Sequence, residues 1–381
     1  MIISRTPFRI SFFGGGTDYP SWYLKHGGSV LSTSIDKYCY ITCRVLPPFF
    51  EHRLRIVYSQ TEQCQHFEEI HHPAVRETLR FLGIDQGLEI HHDGDLPARS
   101  GMGSSSSFTV GLLHALYAHQ GIMPSKRQLA LESIHIEQEM IKETVGSQDQ
   151  VCVAFGGLNQ IDFSTTGGID VRPVTLSVER RKELDSHLML FYTGIKRTAS
   201  NVAKSYVENI DGRYRRLKRM QQMAEEGVEL LNSSRCICQF GELLHEAWML
   251  KRGLAPEVSN GYVDELYERA RKAGAIGGKI TGAGAGGFLL LFVPPSAQKR
   301  VRESLNDKIY VPFHFESYGS QIIFYEPEQE DYSEVERDRA KRTITCFEEL
   351  AVIAEKKSSR IQDIAVKPKR SADVEPVKKD G

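Results

Sequence analysis

LPARSGMGSSSSFTVGLLHAL, Leu96 to Leu116, sets a proline and a Gly-Met-Gly turn ahead of four consecutive serines and an apolar stripe at helical spacing. Phe108, Leu112, Ala115 and Leu116 recur three and four residues apart, which predicts a helix from about Phe108 to His119. A Gly/Ser-rich start to a helix offers unpaired backbone N–H groups and the positive end of the helix dipole, a combination suited to phosphate. One tight turn and one Ser104 cap would explain the glycines and a single serine. Four serines exceed what a cap needs and lower helix propensity, so the extra hydroxyls point to ligand donors or metal ligands.

Working outward, strands are expected at Phe8, Ile10 and Phe12, from Tyr38 to Val45, and in LRIVYS and GLEIHH. A helix is expected from Ser125 to Lys142, opened by a capping box of Ser125 and Gln128. On its wheel Glu132, His135, Glu139, Lys142 and Glu143 share a polar arc, while Leu129, Ala130, Ser133, Met140 and Ile141 share the opposite one. Glu137 falls inside the apolar arc. A buried carboxylate requires a cation, so Glu137 reads as a metal ligand or half of a buried salt bridge, and Glu139 as solvated.

Beyond this, GLNQIDF and a turn at Thr165 to Gly168 close an expected first domain, residues 1–168. Residues 169–326 then give a strand in HLMLFYTG, a long helical region from Tyr214 to Leu254, a helix near Tyr262 to Lys272, the strand FLLLFV and two terminal strands. This mixture lacks the regular strand–helix alternation of a doubly wound sheet and reads as α+β. From Pro327 to the end, 25 of 55 residues are charged, 12 basic and 13 acidic, which sets residues 327–381 apart as a surface helix over Ser333 to Lys357 followed by disorder after Ser358.

Two more glycine-rich segments stand beside the serine loop. RISFFGGGTDY ends a strand carrying Arg9 in three glycines followed by Thr17 and Asp18, and GGKITGAGAGGFLLLF places Gly282, Gly284, Gly286 and Gly287 between a helix and a buried strand. Such glycines allow close backbone approach to a ligand or to another segment. Asp149, in VGSQDQ, follows a glycine turn. It would serve as a helix cap or, beside Arg9 and a phosphate loop, as a general base.

The net charge of −1 gives no field to draw nucleic acid or a membrane surface, and a small-molecule ligand is expected. The longest apolar run, Phe288 to Val293, is too short to span a bilayer, and Arg5 and Arg9 interrupt any signal-peptide core, so a cytoplasmic protein is expected. Seven cysteines without a Cys-x-x-Cys pair read as reduced thiols, and Cys236 with Cys238 makes a poor zinc site. No Gly-x-x-x-x-Gly-Lys-Ser/Thr is present, and GAGAGG precedes a strand where a dinucleotide fingerprint requires a helix.

Taken together, RISFFGGGTDY, PARSGMGSSSS and KITGAGAGGF resemble, in order, the three motifs of the GHMP kinases, over about Met1 to Tyr325. The resemblance implies a ribosomal protein S5 domain 2-like N-terminal domain, a ferredoxin-like C-terminal domain and an active site between them. It implies ATP as phosphoryl donor, Mg²⁺, and ATP contacts from Pro97, Gly101, Met102, Gly103, Ser104, Ser105, Ser106, Gly282 and Gly284. It makes Asp149 the catalytic aspartate with Arg9 beside it, Glu137 with Ser104 or Ser105 the magnesium site, and Gly15, Gly16, Thr17 and Asp18 the sugar-binding turn. Galactokinases carry an acidic residue and a histidine where Gly15 and Gly16 stand here. GGGTDY, VGSQDQ and TGIKR look most like the bacterial kinases of D-glycero-α-D-manno-heptose 7-phosphate, with fucokinase-type enzymes nearby and a non-catalytic sugar sensor as a further alternative. Such kinases phosphorylate an anomeric hydroxyl. Lys196 and Arg197, in a basic turn after HLMLFYTG, are the candidates for holding a sugar's own phosphate. A monomer or homodimer is expected.

Overall fold

The computed structural model describes residues 1–195, 207, 210–327, 332, 334, 335 and 338. Lys196 and Arg197 lie outside the described residues, as does nearly all of the tail. Met1–Leu46 and Arg53–Gln329 form one compact unit, and Pro47–His52 with Glu330–Gly381 form a second.

The larger unit holds two sheets. The first contains β1 (Ile2–Phe13), β2 (Gly28–Val45), β3 (Leu54–Val57), β4 (Thr61–Cys64), β5 (Leu88–Gly94), β6 (Leu158–Phe163) and β7 (Ile169–Pro173). Its path runs β13-β1-β2-β5-β3-β4, with β6 and β12 also pairing β2 and β7 pairing β6; β12 is Phe315–Glu316 and β13 is Gln321–Tyr325. Every residue of β1 from Thr6 to Phe13 is buried, so this strand is covered on both faces. Strand alternation therefore sends Phe8, Ile10 and Phe12 into one layer and buries Arg9 in the other.

The second sheet is antiparallel, in the order β11-β8-β10-β9, from β8 (Leu188–Tyr192), β9 (Gly277–Ile280), β10 (Phe288–Phe292) and β11 (Ile309–Val311). The chain crosses the Gly168 turn within the first sheet and returns to it through β12 and β13.

Ten helices accompany these strands among the described residues: α1 (Pro20–His26), α2 (Pro73–Leu82), α3 (Ser104–His119), α4 (Lys126–His135), α5 (Gln148–Phe155), α6 (Val178–Ser186), α7 (Tyr214–Leu231), α8 (Cys238–Arg252), α9 (Gly261–Ala273) and α10 (Gln298–Ser304). The expected span from Tyr214 to Leu254 is two helices, because the chain turns through Asn232 to Ile237. Cys238 begins α8, so Cys236 and Cys238 do not share a strand face. The expected helix from Ser125 to Lys142 also needs correcting. It is α-helical to His135, passes through a π-helical turn at Ile136–Met140 and has ended by Lys142, whose φ is +62°. Ser125 accepts a bond from the Gln128 backbone N–H at 3.1 Å, but the Gln128 side chain turns to Tyr117 and Glu132, so only half of the capping box forms.

Candidate active site

Three segments far apart in sequence meet around Arg9. Its guanidinium donates to both carboxylate oxygens of Asp149, from Nε at 2.8 Å and from Nη2 at 2.6 Å. Its third arm, Nη1, donates to the Gly101 carbonyl at 2.7 Å, and its own backbone N–H donates to the Met102 carbonyl at 3.0 Å. β1 is thereby laced to the glycine–serine loop. Arg9 is buried and Asp149 keeps 25% of its side chain exposed, so the pair presents the carboxylate to the surroundings. Burial works against the charge on Arg9, but the attraction of Asp149 outweighs it and raises the guanidinium pKa above its ordinary value. Asp149 stands in the first turn of α5, where the helix dipole also favours an anion.

Backbone conformation explains the glycines around this pair. Gly103 has φ +75°, and a Cβ there would meet Arg9 Cγ at 3.0 Å and Asp149 Oδ2 at 3.6 Å. It stands at the N-cap of α3 and supplies no side-chain cap, so the N–H groups of the first turn are left for an anionic ligand. Ser104 accepts from the Arg99 backbone N–H at 3.2 Å.

The third glycine segment packs against this loop. A Cβ on Gly282, at φ +66°, would lie 2.6 Å from Gly101 Cα, and one on Gly287 would lie 2.1 Å from the Ser100 carbonyl oxygen. Gly284 lies against the Val258 carbonyl in the same way. Close approach to another segment holds for these glycines: for Gly282 and Gly287 that segment is the phosphate loop itself, and for Gly284 it is the turn at Val258.

Glu137 is fully buried, as its place in the apolar arc predicts. Its Oε2 accepts from Ser106 Oγ at 3.1 Å and from Gln150 Nε2 at 2.5 Å, while Oε1 has no hydrogen-bond partner. Burial, reinforced by the Glu143 charge, pushes its carboxyl pKa up to about 7, partly offset by the Gln150 and Ser106 hydrogen bonds. Among the described residues no cation pairs with it, so no buried salt bridge forms there. A carboxylate with one orphaned oxygen beside serine hydroxyls at a phosphate loop fits a Mg²⁺ ligand. The hydroxyl that reaches it belongs to Ser106; Ser105 is exposed and Ser104 faces the Arg99 amide. The π turn inserts a residue into the helix at this point, a distortion frequent at functional sites.

The triple-glycine turn lies next to Asp149. Asp18 is buried, its Oδ1 accepting from the Gly16 N–H at 2.8 Å and its Oδ2 from the Gln148 N–H at 3.4 Å. Burial raises its pKa, opposed by those backbone donors and reinforced by the Asp149 charge. Thr17 turns inward, its hydroxyl donating to the Gly14 carbonyl at 2.8 Å, so its side chain braces the turn. A Cβ on Gly15 would meet only side-chain atoms, Ser11 Oγ at 3.5 Å and Gln148 Nε2 at 3.6 Å.

Two buried lysines come from the second sheet and its helices: Lys279 opens the third motif without having been singled out, and Lys251 lies in no motif. Lys279 on β9 donates to the carbonyls of Ser11 and Phe12, both at 2.9 Å, and Lys251 at the end of α8 donates to the Gly282 carbonyl. Burial lowers both pKa values, that of Lys251 to about 8.

These parts, a glycine–serine cradle, an arginine-paired aspartate and a buried carboxylate with a free oxygen, are those phosphoryl transfer requires. Residues 69–157 match the GHMP kinases N terminal domain and residues 229–311 match GHMP kinases C terminal. The chain belongs to the GHMP kinases. It is accordingly a phosphotransferase acting on a sugar hydroxyl, and kinases of this family use ATP. D-glycero-α-D-manno-heptose 7-phosphate kinase of Campylobacter jejuni is 26% identical over 321 residues, covering 80% of this chain and 93% of that one. The bifunctional fucokinase/GDP-fucose pyrophosphorylase of Arabidopsis thaliana is 26% identical over 79% of this chain but only 31% of that enzyme, and galactokinase of Thermotoga maritima is 24% identical over 86% and 98%. Among solved structures, a D-glycero-D-manno-heptose 1-phosphate kinase from Bacteroides thetaiotaomicron superposes with a TM-score of 0.69 at 22% identity, covering 85% of this chain and 99% of that one. The α+β, two-part GHMP kinase fold expected from the motifs is the fold observed. No described helix is long and apolar enough to cross a membrane.

Proposed function

We propose that this GHMP kinase transfers the γ-phosphoryl group of ATP to the anomeric hydroxyl of D-glycero-α-D-manno-heptose 7-phosphate, giving the 1,7-bisphosphate. What carries the reading is the acceptor turn: Gly15 and Gly16 carry no side chain where galactokinases place an acid and a histidine. A bare turn leaves room for a sugar larger than a hexose. The match to the C. jejuni heptose 7-phosphate kinase over 93% of its length supports the same substrate class.

In the reaction, Asp149 accepts the proton of the attacking hydroxyl. Arg9 holds that carboxylate in one orientation through its two-pronged contact. The first-turn N–H groups of α3, with Gly101, Met102 and Gly103, cradle the nucleotide phosphates, and Pro97 fixes the approach of the loop. Glu137 and Ser106, with Ser104 and Ser105 at the same helix start, would hold Mg²⁺. Bound there, the ion neutralises charge on the β- and γ-phosphates. Asp18 binds acceptor hydroxyls, and Lys196 with Arg197 holds the acceptor's own phosphate.

The test is a panel of sugars incubated with ATP and Mg²⁺ and scored for ADP release. Heptose 7-phosphate is expected to turn over fastest, with phosphate added at the anomeric carbon. An inert heptose 7-phosphate alongside rapid turnover of L-fucose or D-galactose would replace this substrate with an unphosphorylated sugar. Lys196→Ala and Arg197→Ala should raise KM for the heptose phosphate at least tenfold more than KM for ATP; equal effects on both would remove them from the acceptor site.

A further inference from the structure

The catalytic pair does not stand alone in charge. Lys251 and Lys279 are buried near Arg9 and Asp18, with Asp149 beside Arg9, so three cations face two carboxylates in a largely buried group. Both ammonium groups rest on backbone carbonyls. Buried cations without carboxylate partners are costly, and an anion entering the site offsets that cost. Lys279 spends two of its three donors on Ser11 and Phe12 and serves the strand. Lys251 spends one, on Gly282, and has two left.

The position of Lys251 follows from a chain of contacts. Its ammonium holds the Gly282 carbonyl, Gly282 lies against Gly101, and the Gly101 carbonyl accepts from Arg9 Nη1 at 2.7 Å. It therefore reaches the phosphate loop from α8, linked to Arg9 through Gly282 and Gly101.

We propose that Lys251 supplies a second fixed positive charge, facing Arg9 across the loop, to the phosphoryl group as it passes from ATP to the acceptor. The bond between the γ-phosphorus and the oxygen bridging to the β-phosphorus breaks, a bond from that phosphorus to the acceptor oxygen forms, and the hydroxyl proton goes to Asp149. Lys251 gains and loses no proton; it balances charge on the transferring oxygens. The low polarity that depresses its pKa is also what makes its charge effective there.

This rests on phosphoryl transfer at this site, whichever sugar is the acceptor, so the assay uses the acceptor the wild type turns over best. A change of preferred sugar alters the substrate reading and leaves this test intact. Lys251→Met and Lys251→Gln are expected to lower kcat about a hundredfold, with KM for ATP and sugar within threefold and a thermal midpoint no lower than the wild type. Lys251→Arg should recover at least a tenth of wild-type kcat. If Lys251→Met folds poorly, the neutral Gln and charged Arg variants decide between them. Wild-type kcat in Lys251→Gln, or a loss confined to ATP affinity and thermal stability, would make Lys251 a brace for the third glycine loop and overturn the proposal.

Discussion

Asp149 and Arg9 act as one unit, and their substitutions should reflect that. Asp149→Asn keeps the shape but cannot take a proton, so kcat is expected to fall by about 10³ with KM for ATP nearly unchanged. A kcat within tenfold of wild type would assign proton removal elsewhere. Arg9→Lys keeps a charge yet cannot span both Asp149 oxygens and the Gly101 carbonyl at once, and a loss of about tenfold to a hundredfold in kcat is expected. Both residues could be read in the sequence, because each sits beside a glycine turn whose spacing carries the motif. Glu137 could be read from its place on the wheel. Which serine reaches it could not, since four adjacent hydroxyls are equivalent until the φ of +75° at Gly103 fixes the start of α3. Gln150 and Lys251 were hidden for a different reason: their roles come from contacts 13 and 31 residues away, which no local pattern encodes.

At the scale of elements, the glycine loops work as a pair. Gly282→Ala forces a Cβ into Gly101 at a positive φ, a strain of about 1–3 kcal/mol, and the phosphate loop must shift to relieve it. The thermal midpoint should drop and KM for ATP should rise at least fivefold, as read by thermal denaturation and ADP release. An unchanged KM would separate the two loops functionally. Periodicity predicted the long strands and α3 well because their apolar repeats are regular. It missed α1 and α2, short helices that each begin at a proline, and it read the segment from Ser125 to Lys142 as one uniform helix because a π turn changes the period by a single residue. The antiparallel second sheet, order β11-β8-β10-β9, depends on pairings across more than 80 residues and was available only through the family resemblance.

For the molecule as a whole, acid should be the weak point of the first sheet and its neighbours. Glu62, Glu77 and Glu89 are buried at the residue level, and their pKa values are lowered. Burial opposes ionisation in each, but the His71 and His72 amides with Tyr58, the Arg76 and Arg80 guanidiniums, and His91 with Arg44 outweigh it. A carboxyl with a depressed folded pKa contributes stability above its unfolded value, about 4.3 for Glu, and loses it as pH falls through the folded value. The stability that these three carboxylates contribute, read by urea unfolding of the wild type against their Gln variants, should therefore be constant between pH 6 and 7 and be lost steeply below about pH 4.5. Glu89→Gln should be less stable than the wild type at pH 7 and show a shallower acid decline. An identical pH slope in that variant would show that Glu89 does not contribute to the acid transition.

A crystal structure with Mg²⁺ and a non-hydrolysable ATP analogue tests the central claim most directly. The account predicts the triphosphate against the first turn of α3, the ion about 2.1 Å from Glu137 Oε1, and the γ-phosphate facing the Asp149 carboxylate. A nucleotide bound away from the Gly101 to Ser106 loop, or an ion that leaves Glu137 without a ligand, would contradict it.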